Sequence, residues 1–138
     1  MYKRQVQIIT QVCPDWVELV ESGQLSGPRV ESAVRTCLEP LLVAGVDTLV
    51  LGCTHYPFLV PVIRDIVGDT VTIVDPAPAV ARQVRRVLES KGLLNQASDR
   101  GTVQLFTSGD PVVLARQFTM LLGHRYLVTT VQGIKTDG

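Results

Sequence analysis

Cys53, Thr54 and His55 put a thiol, a hydroxyl and an imidazole side by side in the stretch Asp47-Thr-Leu-Val-Leu-Gly-Cys-Thr-His-Tyr-Pro-Phe58. A thiolate removes protons and a thiol returns them. An imidazole two residues away can exchange a proton with that sulfur or hold it as an ion pair. The flanking residues suit such a site. Thr48-Leu-Val-Leu51 is an apolar run expected to form a strand buried on both faces, and Gly52 permits a tight turn. Pro57 has the fixed φ of a first helical turn. The cluster would thus sit at the carboxyl end of a parallel strand, facing a helix amino terminus whose dipole favours thiolate. Open α/β sheets bind their ligands in that crevice.

Each residue also has a plainer reading. A free cysteine is most often a small buried hydrophobe, a lone histidine a satisfied surface group, and Thr54 an ordinary turn residue. The other cysteines lack the same surroundings. Cys37 falls on a helix stripe and reads as core, and Cys13 ends a run before Pro14. Three cysteines are an odd number with no pairing rhythm, so a disulfide framework is not expected and a reducing compartment fits. No second ligand pair accompanies Cys53 and His55, so zinc fits poorly. Neither a Gly-x-Gly-x-x-Gly nor a Walker-type loop is present to cradle a nucleotide.

The chain is 138 residues, 46% hydrophobic but only 5% aromatic, which implies an aliphatic core in one ordinary domain's length of chain. Thirteen basic residues balance thirteen acidic ones, leaving no field for nucleic acid or an anionic membrane. No apolar run approaches the roughly 20 residues of a bilayer span. Met-Tyr-Lys-Arg-Gln begins like a signal peptide without its apolar block. The cytoplasm is the expected location.

The elements that must position the cluster alternate between strand and helix. Val6–Cys13 reads as a strand, and Asp15 as the cap of a short helix with Trp16, Leu19 and Val20 on one face. A longer helix from Pro28 carries Val30, Val34, Cys37, Leu38, Leu41 and Leu42, and Pro40 should kink or divide it. After Cys53 a helix beginning near Phe58 should stop at Gly68. Thr70–Asp75 reads as a buried strand. Pro76-Ala-Pro78 leads into a helix with Val80, Val84, Val87 and Leu88 on one face, and Arg82, Arg85 and Arg86 on its wet side. Thr102–Thr107 is a strand, then Asp110 caps a helix with Pro111 first and Leu114, Phe118, Leu121 and Leu122 as its buried stripe. Tyr126–Val131 is a short final strand, and the last residues should fray. This order implies βαβ units: an α/β fold, a doubly wound parallel sheet with helices on both faces.

The string Leu51-Gly-Cys-Thr-His-Tyr-Pro57 resembles the second cysteine motif of the glutamate racemases, cofactor-independent enzymes that supply D-glutamate for the bacterial cell wall. The related aspartate racemases carry a similar Gly-Cys-Thr but usually have an acidic residue where this chain has His55. Gln11-Val-Cys-Pro14 with Val20-Glu21, Asp75 with its helix, Thr107-Ser-Gly-Asp110 and Leu121-Leu-Gly123 also look like landmarks of that family. Its members are about twice this length, with two similar flavodoxin-like α/β lobes. The resemblance implies an incomplete two-lobe protein. Residues 1–76 would be the second lobe, 77–124 a segment returning to complete a missing first lobe, and 125–138 a C-terminal strand and tail. The first lobe's Asp-Ser-Gly and Ala-Cys-Asn-Thr motifs are absent from the sequence.

By the same resemblance the reaction is proton exchange at the α-carbon of glutamate between two cysteines on opposite faces, without cofactor or metal. Cys53 would be one of the two thiols, with His55 assisting it. Thr54 and His55 would contact substrate, and Glu21 would play an auxiliary part near the histidine. This chain by itself would be inactive, and its partners would be glutamate and either a second copy or the missing N-terminal lobe. Two rival readings are a sister racemase acting on aspartate or a hydantoin, and a non-catalytic α/β module in which Cys53 is merely structural.

Overall fold

In a computed structural model that describes residues 6–97 and 101–131, two parallel strand pairs are each closed by an intervening helix. The chain divides into two units. One holds the residues up to Val20 and Gln24–Ala81, the other Glu21–Gly23 and the chain from Arg82 onward. The fold is α/β with parallel strands.

The first unit contains the helices α1 (Asp15–Glu21) and α2 (Pro28–Val43), the strand β1 (Thr48–Val50), a 3₁₀ turn (Tyr56–Leu59), helix α3 (Val60–Val67) and strand β2 (Thr72–Val74). β1 and β2 pair in parallel, Thr48 opposite Thr72 and Val50 opposite Val74. Trp16, Leu19 and Val20 of α1, the Val30, Val34, Cys37, Leu38 and Leu41 stripe of α2, Leu49 and Leu51, and Leu59, Val62, Ile63 and Val67 are all buried. Burying each such aliphatic side chain stabilises by about 1.5–3 kcal/mol, and this aliphatic core holds the unit together.

Several expectations fail here. Val6–Cys13 is no strand: it has no ladder partner among the described residues, and Val6, Ile8, Ile9 and Val12 are exposed. β1 is not buried on both faces. Only Leu49 points inward and Val50 is exposed, and the strand expected to be buried at 70–75 is not buried either, with Thr72 and Val74 exposed and Ile73 half-buried. Of the kink or division expected at Pro40, division does not occur, since α2 is assigned helical from Pro28 to Val43. Pro40 has no N–H for the Thr36 carbonyl, but its own carbonyl still accepts from Ala44 at 3.1 Å, and the buried stripe spans the defect. Finally, Cys13 and Cys37 form a disulfide. The apolar stripe turns Cys37 inward beside the end of the arm leading into α1, and the Cα atoms are 5.7 Å apart, within bridging range.

The second unit contains most of helix α4 (Ala77–Ser90), with strand β3 (Leu105–Thr107), helix α5 (Pro111–Leu122) and strand β4 (Val128–Thr130). β3 and β4 pair in parallel, Leu105 opposite Val128. Asp110 caps α5 as its sequence foretells, accepting the N–H groups of Val112 at 2.7 Å and Val113 at 3.4 Å. Gly123 ends the helix at φ 71°, a conformation that favours glycine. The predicted stripe of α5 is only half-buried, and Leu122 is exposed. No residue of α4 is buried, and Val80, Val84 and Val87 stand exposed. The fraying expected of the last residues lies outside the described ones.

Candidate active site

The stem of the site is the carboxyl end of β1. Leu51 is buried and its N–H donates to the Val74 carbonyl at 3.0 Å, so the backbone is fixed as far as Gly52. The chain then turns. Tyr56 N–H donates to the Cys53 carbonyl at 3.2 Å and Phe58 N–H to the His55 carbonyl at 3.2 Å. Pro57 sits in the first turn of the 3₁₀ segment, where its missing N–H costs nothing. His55 occupies the N-cap position of that segment.

Within this turn the Cys53 Sγ lies 3.6 Å from Nδ1 of His55. Cys53 is a free thiol, half-buried, as is His55, while Thr54 is exposed. A half-buried thiol beside an imidazole can pass a proton in either direction, and it remains open to a reacting molecule. The structure thus brings Cys53 and His55 together with Thr54 on the same turn. Glu21 is the last residue of α1, exposed, where the chain leaves the first unit.

A third side chain belongs to this turn and is not singled out by the sequence. Tyr56 packs edge-to-face on Trp16 with ring centroids 4.8 Å apart and planes at 70°. Its hydroxyl donates to the Cys13 carbonyl at 3.4 Å. That carbonyl also accepts the Trp16 N–H at 3.4 Å, and the Trp16 indole N–H donates to the Ala33 carbonyl at 3.4 Å. Burial raises the Tyr56 phenol above its ordinary pKa, and the neighbouring Cys53 adds to the rise. The motif reading passes over Tyr56 because a tyrosine before a proline carries no spacing signal.

Asp75 follows β2, and its Oδ1 accepts the Ala77 N–H at 2.9 Å, so the acid at that strand end organises the start of α4. Among the described residues no cluster of three or more His, Cys, Asp or Glu is placed to hold a metal ion. No helix among them is long and apolar enough to cross a membrane.

Comparison with known proteins gives relatives of one kind. A glutamate racemase of Herpetosiphon aurantiacus is 46% identical over 115 residues, 83% of this chain and 45% of that protein. A glutamate racemase of Methylococcus capsulatus is 47% identical over 117 residues, 85% of this chain and 43% of that protein. The crystal structure of the Bacillus anthracis glutamate racemase isoform RacE1 matches with a TM-score of 0.81 at 31% identity, covering 88% of this chain and 46% of that one. The Thermus thermophilus glutamate racemase in complex with β-chloro-D-alanine matches with a TM-score of 0.78 at 36% identity, again covering 88% and 46%. The chain spans about half the length of the curated relatives it matches. No family model matches it.

Proposed function

The chain is homologous over most of its length to part of the glutamate racemases, and we propose that it carries one acid/base half of a cofactor-independent glutamate-racemising site. The observation that carries this reading is the Cys53 thiol 3.6 Å from His55 Nδ1 at the carboxyl end of β1. The identity to glutamate racemases over 83–85% of the chain supports the substrate assignment. His55 also favours glutamate over the aspartate-specific relatives, which usually carry an acid at that position.

Racemisation breaks the Cα–H bond on one face and forms a new one on the other. On this reading the Cys53 thiolate removes the proton in one direction, and in the reverse direction the Cys53 thiol delivers it. His55 exchanges a proton with Sγ to reset the sulfur, and Thr54 and His55 contact the substrate. Glu21 is assigned an auxiliary part with His55. The carbanion is stabilised by placement and electrostatics. The opposite thiol comes from the half of the protein that this sequence does not contain, which leaves residues 1–76 as one lobe, 77–124 as the segment completing the other and 125–138 as a tail. The exposed apolar face of α4 suits that other half or, in its absence, a second copy of the chain.

The test pairs the purified chain with a second polypeptide that supplies the remaining half of a relative, and follows D- or L-glutamate by circular dichroism. The chain alone should change optical rotation no faster than its Cys53→Ala variant. The pair should racemise glutamate, and Cys53→Ala should abolish it. Undiminished racemisation by that variant would overturn the assignment of Cys53.

A further inference from the structure

We propose that the Cys13–Cys37 disulfide is a redox-sensitive tether that sets the position of Tyr56 and, through Tyr56, the reactivity of Cys53. The inference rests on the reading of Cys53 as an acid/base thiol. Tyr56 is a positioning residue in it, since it holds the turn that carries the sulfur.

Tyr56 is gripped at both ends. Its backbone N–H closes the turn on the Cys53 carbonyl at 3.2 Å, and its hydroxyl reaches the Cys13 carbonyl at 3.4 Å. Whatever moves the Cys13 carbonyl therefore pulls on the turn that presents Sγ. That carbonyl accepts from Trp16 as well as Tyr56, so both of its lone pairs are engaged. The arm leading to it, residues 6–13, has no strand partner among the described residues, and Val6, Ile8 and Val12 are exposed. The disulfide is thus the covalent restraint on this arm. It joins residues 24 positions apart and fixes Cys13 to the middle of α2.

Reduction needs two electrons and two protons from a dithiol. One dithiol sulfur attacks Cys13 or Cys37, the protein S–S bond breaks, and the mixed disulfide resolves to a cyclic disulfide and two protein thiols. Both cysteines are buried in the bridged form, at 5% and 7% exposure. The arm must therefore swing away for attack, a motion that its missing strand pairing permits. Once free, the Cys13 carbonyl no longer holds the phenol, and Tyr56 loses the restraint at its far end.

The experiment measures the second-order rate of Cys53 alkylation by iodoacetamide at neutral pH, mapped by mass spectrometry on the full chain. It compares the bridged chain with chain reduced by dithiothreitol and cleared of excess reductant. The Cys37→Ser chain serves as a bridge-free form needing no reductant. We expect the reduced chain and Cys37→Ser to agree with each other and to differ from the bridged chain by about threefold or more. Tyr56→Phe keeps the ring on Trp16 and removes the hydroxyl. In that background the redox difference should vanish while Cys53 still reacts, with far-UV circular dichroism unchanged. A redox difference that persists in Tyr56→Phe, or no difference in the wild type, overturns the proposal. The proposal alone falls if Cys53 is reactive but indifferent to redox state. If Cys53 is inert in both states, the catalytic reading of the thiol falls with it.

Discussion

The Leu51 N–H donates to the Val74 carbonyl at 3.0 Å, carrying the β1–β2 ladder to within two residues of Cys53. The cysteine-bearing turn therefore begins on a hydrogen-bonded strand end, with only Gly52 between the last fixed backbone and the sulfur. Loops positioned by rigid scaffold of this kind are where chemistry is usually placed.

Thiol counting checks the cysteine arrangement. Without reductant, iodoacetamide should label Cys53 and spare Cys13 and Cys37, which are bridged and buried. Two or three labelled cysteines in unreduced chain would contradict the bridge. In the complemented enzyme, His55→Asn should lower the racemisation rate by about 10²-fold, the lower range for losing a positioned acid/base group. An unchanged rate would remove His55 from the mechanism.

Stability should respond unequally across the chain. Leu59 of the 3₁₀ turn is fully buried, and Leu59→Ala should cost about 2–5 kcal/mol in urea unfolding. Asp110→Ala removes the cap of α5 and should cost about 0.5–2 kcal/mol. Val80→Ala on the exposed face of α4 should stay within about 0.5 kcal/mol. Equal losses at Leu59 and Val80 would contradict the placement of the core.

Tyr56 supplies a pH dependence at the alkaline end. Its pKa is raised in the folded chain, so the folded state holds the phenol proton more tightly than the unfolded state does. The associated stability is intact below the unfolded value, about 10, and is lost as pH rises from there through the folded value. Urea midpoints measured between pH 9 and pH 11 should fall, and Tyr56→Phe should remove part of that fall. Parallel declines in the two chains would rule out the contribution.

The exposed valines of α4 predict association. Sizing chromatography should show species larger than a monomer that grow with concentration, and Val84→Glu should shift them toward monomer. A concentration-independent monomer peak for the unmodified chain would refute it.

Much of this molecule is written in local signals. Asp110-Pro111 and Gly123 mark the two ends of α5 because capping depends on residues within one turn. The Gly52 to Pro57 run marks the cysteine-bearing turn for the same reason. Burial could not be read so well. The stripe of α2 is covered, whereas the equally regular stripe of α4 is not, since periodicity gives a face and says nothing of what lies against it. Val6–Cys13 looks like a strand because its residues favour one, but strand formation needs a neighbour's backbone. The Cys13–Cys37 bridge and the grip of Tyr56 on Cys13 join residues far apart in sequence, and no spacing announces them.

The parallel registers have a kinetic consequence. Thr48 meets Thr72, and Leu105 meets Val128, so each ladder is closed by the stretch of chain between its own two strands. Closure entropy rises only slowly with loop length, so neither pairing waits on a distant partner. On a ribosome, β1, α3 and β2 are all synthesised before β3. The cysteine-bearing turn can therefore assemble co-translationally, ahead of the second strand pair, and refolding should proceed in two phases with the Trp16 fluorescence change in the earlier one.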